Sequence, residues 1–585
     1  MIMWTKSPKA SPLPPAPAPE ATPLPAAPAP EASIAASRAL QIVDIVQEIL
    51  ESLSPRILTL SDYRTFISTR NNFLRTALTC HTFLEPSLDI LWRSMHSIAP
   101  LLKLLSSRGF QERDGEYILS GLTLESTSKN WHRINYYGRR IKYFYHDPTS
   151  PTSLPLPSHT CNAILHYFPS SLLPNLDALH IDSLHPAYDA VLFMMTSSSL
   201  RHLEISNIQA QNRNLVDSLL ICLREKSHNI HHLTLGGTFP SEVPQLVEYL
   251  TGLRSLDLTS TVLEERVFQP TLRKIADLPL LKAVKLNLGG GTGSQLPPTT
   301  WSASIDHLTL KGSVSKIAAF LNNHEMPHIR DISLEFPFTD AGNTHPAEDW
   351  STFEQILSLM VLRWSDLQAV VLDIERFTHP SVSTYITPLA FRKILGSLAD
   401  LSKLNSLRLD PETPSVTWKS LSSTDYWELA NSFPALEHLA LPRGNVITMD
   451  ALSKVAQLCP QLHSLAVGVD TQTFPTLPAT QYSAITHGLR VLSVGDSSLQ
   501  NIHLVTRHLN RLFPHLEAIV NTNPAWVAVW DLLTLQRSMA MDNSQRTAPM
   551  PLDDLKAEPA LDSLSGILGR AGSKTSSKKR TTKKR

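Results

Sequence analysis

Apolar residues recur along this chain in two rhythms. From Ala39 they fall three and four apart, as Ile42, Ile45, Val46, Ile49, Leu50 and Leu53, the spacing of one amphipathic helix that stops before Ser54-Pro55. The same spacing predicts a second short helix over Asn71 to Thr79 and a third over Phe83 to Met95, the last with Leu84, Leu88, Leu91 and Trp92 on one face. Three short helices have a thin core, so the 39–95 module is expected to lean on a partner or on the next domain.

Beyond about residue 170 the rhythm changes to a phrase, L-x-x-L-x-L. It reads Leu176-Leu179-Ile181, Leu200-Leu203-Ile205, Ile230-Leu233-Leu235, Leu253-Leu256-Leu258, Leu281-Val284-Leu286, Ile305-Leu308-Leu310 and Ile329-Ile332-Leu334. It continues as Leu367-Val370-Leu372, Leu404-Leu407-Leu409, Leu436-Leu439-Leu441, Leu462-Leu465-Val467, Leu489-Leu492-Val494 and, with one member fewer, Leu516-Ile519. Most phrases start roughly 23 to 32 residues apart, with two longer intervals around 340 to 400, the range of one strand plus one helix per unit. Proline often precedes the phrase (Pro174, Pro279, Pro327, Pro434, Pro460, Pro514), where it ends the preceding helix before the chain turns into a strand.

The predicted fold class is therefore α/β: a three-helix N-terminal module followed by a leucine-rich-repeat solenoid, with a curved parallel sheet inside, helices outside and disordered tails. The expected boundaries are a Pro/Ala-rich tail over 1–38, the module over 39–95, a linker and cap over 96–170, the array over 171–535 and a basic tail over 536–585. The phrase leucines are core. Alternate strand positions point out of the concave face, so the candidate substrate-binding residues are the plus-four positions, among them His180, Glu204, Asp257, Lys285 and Arg408. Along that row the character runs from polar and charged to small and apolar, the mixture of a protein-binding surface.

Charge sharpens this picture. Lys+Arg and Asp+Glu each number 52, so no global field draws in nucleic acid or an anionic membrane, and no stretch of about 18 apolar residues suggests a span. The start of the chain lacks the apolar core of a secretory signal, which predicts an intracellular address, cytoplasmic or nuclear. Cys80, Cys161, Cys222 and Cys459 are far apart and read as small core residues rather than a disulfide frame or zinc site. The tail residues Lys578, Lys579, Arg580, Lys583, Lys584 and Arg585 are a nuclear-import candidate, the alternative being a solvated tail.

The segments ALQIVDIVQEILESLSP and ALTCHTFLEPSLDILWR resemble the F-box motif of large families of basidiomycete fungal proteins, including the Cys before an aromatic, the Pro and the closing Leu-Trp-Arg. Residues 128–146, SKNWHRINYYGRRIKYFYH, resemble the linker that follows it in those proteins, with Trp131, Tyr137, Arg140 and Ile141. The resemblance implies a substrate-recognition subunit of a Skp-cullin-F-box ubiquitin ligase. The module would bind the Skp-type adaptor, and through it the cullin-RING ligase, while the repeats hold a protein substrate. Ile42, Ile45, Leu50, Pro55, Leu78, Leu91 and Trp92 are the candidates for facing the adaptor or stabilising the module. Val43 stands where the family usually has Pro, and residues 55–70 read as an insertion; both motivate an alternative, a repeat scaffold whose degenerate F-box recruits no ligase.

No catalytic residue, metal site or cofactor is expected. Gly289 to Gly293 lacks the Lys-Ser/Thr of a phosphate loop and reads as a turn, and the 23 histidines form no zinc-like spacing. An enzyme would have to be hidden near residues 335–365, where the repeat interval lengthens.

Overall fold

The structure is a computed structural model that describes residues 42–547 apart from several segments, the longest being 147–163, 290–298, 337–345, 374–387, 410–420 and 473–486. Pro55, Cys161, Gly290 to Gly293, the Pro/Ala-rich start and the basic residues from Lys578 to Arg585 lie outside the described residues.

The module holds three helices, α1 (Val43–Leu53), α2 (Leu60–Ala77) and α3 (His81–Arg93). The second differs from expectation. It begins eleven residues earlier than Asn71, so most of the stretch read as an insertion is helix. The polar run Ser68 to Asn72 had hidden a period that Leu60, Tyr63 and Ile67 maintain at three and four. Val46, Leu50, Phe73, Ile90 and Leu91 form the module's core together with Tyr145, a residue from outside the module.

That sixth residue shows how the module is supported. The chain leaves α3 directly into β1 (Ser94–Met95), which pairs in parallel with β2 (Tyr143–His146), and β2 carries Tyr145. The main sheet thus starts ahead of the first repeat phrase. It continues as β3 (Ala178–Ile181), β4 (His202–Ile208), β5 (His232–Thr238), β6 (Ser255–Leu258), β7 (Ala283–Asn287), β8 (His307–Lys311) and β9 (Asp331–Glu335). Its far half is β10 (Ala369–Asp373), β11 (Ser406–Arg408), β12 (His438–Ala440), β13 (Ser464–Ala466), β14 (Val491–Gly495) and β15 (Ala518–Asn521). Spatial order follows chain order throughout, and a small side strand, Thr261–Val262, pairs with the end of β5.

Each of the thirteen phrases lies on one strand, and the pairings keep the plus-three residues opposite one another, Leu179 on Leu203, Leu203 on Leu233, and so on to Leu492 on Ile519. Most of these side chains are fully buried. Burying one contributes about 1.5–3 kcal/mol, and a single repeat cannot do so alone because its leucines are covered only by the rungs on either side. Helices between the phrases close the convex face: Arg213–Lys226 through Val216, Leu219, Leu220 and Leu223, and Met449–Leu458 through Leu452 and Val455. Three helices end at Phe433, Cys459 and Phe513, each directly before proline.

The long interval after β9 holds the helix Pro346–Arg363, with Phe353, Ile356, Leu357 and Met360 buried. At the far end the helix Ala525–Thr547 continues past residue 535, where the array was expected to stop. Trp526 is buried there and donates from Nε1 to Ser497 O at 2.9 Å, and Arg537 donates to Phe513 O at 2.9 Å, so this helix is pinned to the last repeats. Among the described residues no helix is long and apolar enough to cross a membrane.

The cysteine expectation holds for Cys459, which is buried with its thiol pushed up to about 11, but not for Cys80. Cys80 is the exposed N-cap of α3, where the Phe83 backbone amide holds the thiol below its ordinary value.

Candidate functional site

Two surfaces stand out, one on the module and one on the inside of the arc. On α1 the apolar positions split into two rows. Val46 and Leu50 turn inward, Leu50 being 4% exposed, while Ile42, Ile45, Ile49 and Leu53 form a second row at intervals of three and four that stays open to solvent, with Val43 beside it. Leu74 and Leu78 from the end of α2 are also exposed, Leu78 at 77%. An amphipathic helix inside a finished domain shows one apolar stripe; α1 has a stripe wider than the module consumes.

The structure therefore divides the candidates of the module. Ile42, Ile45 and Leu78 lie on the open surface, whereas Leu50 and Leu91 belong to the core. Trp92 is half-buried and faces Tyr137, with ring centroids 4.6 Å apart.

Trp92 belongs to a seam that joins the module to the arc. The four residues of the linker resemblance converge on it: Trp131 and Ile141 are buried, Tyr137 meets Trp92, and Arg140 forms ion pairs with Glu85 and Asp89 of α3. Tyr136 donates to Glu85 at 2.8 Å and lies under the Arg140 guanidinium, 4.5 Å from ring centroid to carbon. The Arg140 hydrogen bond, with that of Tyr136, holds the Glu85 carboxyl below the usual range. Arg93 reaches back to Glu51 on α1 at 2.8 Å. The module is thus locked to the start of the sheet through these charged side chains and the Trp92–Tyr137 contact, in addition to the β1–β2 pairing and Tyr145 in its core.

Inside the arc, the plus-four row consists of Tyr145, His180, Glu204, Thr234, Asp257 and Lys285 on successive rungs. Tyr145 stacks on His180 at 4.7 Å and 11°. His180 donates from Nδ1 to Glu204 at 2.8 Å, a hydrogen bond that lowers the Glu204 carboxyl, and Lys285 pairs with Asp257 at 2.9 Å. Four of the five candidate binding residues therefore pair off with one another. Arg408 lies four rungs beyond Lys285, between Val371 and Ala440 in a row that has become small and apolar, continuing as Ala466 and Ser493.

The sequence reading missed two neighbouring rows. The plus-two row stacks His202 on His232, 4.4 Å apart and within 4° of parallel. Burial in this row lowers both imidazoles, with Asp177 opposing the shift at His202 and the neighbouring His202 reinforcing it at His232. The plus-one row carries Arg201, His231, Arg254 and Lys282 on consecutive rungs. Its signal was present in the phrases, in the residue directly after the first apolar residue of each.

Among the described residues no group of three or more His, Cys, Asp or Glu is placed to hold a metal ion. No family model and no curated protein matches this chain. Solved structures with some likeness include a leucine-rich-repeat protein of Leptospira interrogans, 13% identical, covering 60% of this chain and 79% of that one with a TM-score of 0.27. Another is the Toll–Spatzle complex of Drosophila, 11% identical, covering 61% of this chain and 50% of the other with a TM-score of 0.24. The leucine-rich-repeat fold rests on the ladder itself, thirteen phrases lying on thirteen parallel strands in unbroken chain order.

Proposed function

We propose that this protein is a substrate-recognition adaptor of a Skp-cullin-F-box-type ubiquitin ligase, in which the outer face of α1 and the end of α2 bind the Skp-type adaptor and the arc holds a protein substrate. The observation that carries this reading is the second apolar row of α1, Ile42, Ile45, Ile49 and Leu53, left open in a segment whose sequence resembles an F-box. Exposed apolar side chains in a continuous row are stabilised by a partner that removes them from water.

The chemistry belongs to other subunits. This chain supplies proximity: a target held on the arc stands at high effective concentration beside the loaded conjugating enzyme, and a bimolecular transfer becomes nearly intramolecular. The seam around Arg140 suits that task, since a stiff connection restricts where the target is presented.

Co-purification of the full chain with a Skp-type adaptor tests the reading. The native chain is expected to retain the adaptor and Ile45→Asp to lose it while staying folded, because Ile45 is on the open row and the added carboxylate would be desolvated only in the complex. Failure of the folded native chain to bind would leave the second reading, a repeat scaffold with a degenerate F-box, favoured by Val43 at the start of α1.

A further inference from the structure

We propose that the edge of the arc carrying Arg201, His231, Arg254 and Lys282 docks an extended peptide segment bearing clustered anionic side chains. The inference rests on the receptor reading above and names the chemistry of what the arc would hold.

The ladder geometry places these residues. The backbone amides of His231 and His232 both donate to Arg201 O, at 2.8 and 3.0 Å, and those of Arg254 and Ser255 to His231 O, at 2.8 and 2.9 Å. Lys282 and Ala283 repeat the pattern on Arg254 O, at 2.8 and 3.0 Å. Three shared carbonyls thus hold four plus-one residues in strict register, one rung apart. At about 4.8 Å per rung the row is roughly 14 Å long.

Its charge is only partly neutralised within the described residues. Arg254 and Lys282 are exposed and make no ion pair among the described residues, and Arg201, 60% exposed, reaches Asp177 only at 3.8 Å. Arg254 and Arg201 both depress the imidazole of His231, after its burial, as expected where positive charges gather. Arg254 and Lys282 are like charges one rung apart, which repel, and the fold keeps them adjacent. The acids of the plus-four row are already engaged, Glu204 with His180 and Asp257 with Lys285.

The length of the row selects the partner. Asp177 precedes it and Asp306 follows it on the same plus-one ladder, so the basic stretch is bounded at both ends. A nucleic-acid groove needs a longer positive track, usually with aromatic platforms for the bases. An extended peptide places every second side chain on one face, about 7 Å apart, so three alternating acids in a five-residue segment span the row. Those acids are Asp or Glu, or phosphorylated Ser or Thr, since Arg and Lys pair with either group.

The test uses the full chain without any adaptor, so that its outcome is independent of whether α1 binds one. Fluorescence anisotropy is measured with labelled peptides of the pattern Glu-Ser-Glu-Ser-Glu, the same pattern with phosphoserine in place of glutamate, a Gln-for-Glu control, and a single-stranded oligonucleotide. We expect the anionic peptides to bind in a salt-sensitive manner and the Gln peptide not to. Arg254→Glu with Lys282→Glu should weaken binding by at least about tenfold, while Arg490→Glu, on the same ladder at the far end, leaves it unchanged. Milder Arg254→Gln with Lys282→Gln should give an intermediate loss, which separates charge from any disturbance of the fold. Tighter binding of the phosphoserine peptide would identify phosphate as the source of the anion, and equal binding would show that carboxylates suffice. Absence of peptide binding, equal binding by native and charge-reversed chains, or preference for the oligonucleotide would overturn the proposal.

Discussion

At Gly237 the backbone takes a φ of +100°, and a Cβ built there would stand 2.3 Å from Ile208 O and 2.5 Å from Ile208 N. The pairing of β4 with β5 shifts register between Ile205 and Ile208, so the chain needs a residue without a side chain where the two strands rejoin. Gly237→Ala is therefore expected to destabilise the array by about 1–3 kcal/mol, measured as a lower denaturant midpoint; an unchanged midpoint would contradict the strain. Nothing in the phrase Leu233-Thr234-Leu235-Gly236-Gly237 distinguishes the second glycine from the first, because the requirement comes from Ile208 on the preceding strand, remote in the chain. The same limit applies to Cys80 and Cys459: both are small and weakly polar, and only their positions in the fold make one exposed and the other buried.

Among elements, α1 and the seam behind it carry the functional argument. Periodicity showed that α1 is an amphipathic helix but could not separate its two apolar rows, since Ile45 and Val46 are equally hydrophobic and adjacent. Packing against Phe73, Ile90 and Tyr145 makes the division. The seam depends on Arg140, whose partners Glu85 and Asp89 are half-exposed, so its removal should cost only about 1–2 kcal/mol of stability. The sharper expectation for Arg140→Ala is local: amide hydrogens of α3 exchange faster while those of β6 to β9 keep their protection. Uniform acceleration across the chain would show that Arg140 supports the fold in general and not this junction.

For the whole molecule, the sixteen strands of the main sheet form one continuous core, with imidazoles buried at several points along it. His324, against Phe320 at 4.3 Å, is almost wholly buried, and burial lowers it to about 4; burial lowers His487 and His508 as well. A folded-state value below the unfolded one means that the unfolded chain binds the proton first. The stabilising effect is complete above about pH 6.5 and is lost as pH falls towards 4, about 3 kcal/mol for His324. Urea midpoints should fall between pH 7.5 and 4.5, and less steeply in His324→Gln; identical slopes would exclude His324 as a contributor. The repeat array itself was legible in the sequence because the strand phrase and its interval are local and recur thirteen times, so each rung confirms the next. The sequence by itself determined the rungs, the inward leucines and the helical nature of the module. The tertiary structure alone decided which acids were neutralised across rungs and which apolar row of α1 remained open, because each depends on distances between residues that are remote along the chain.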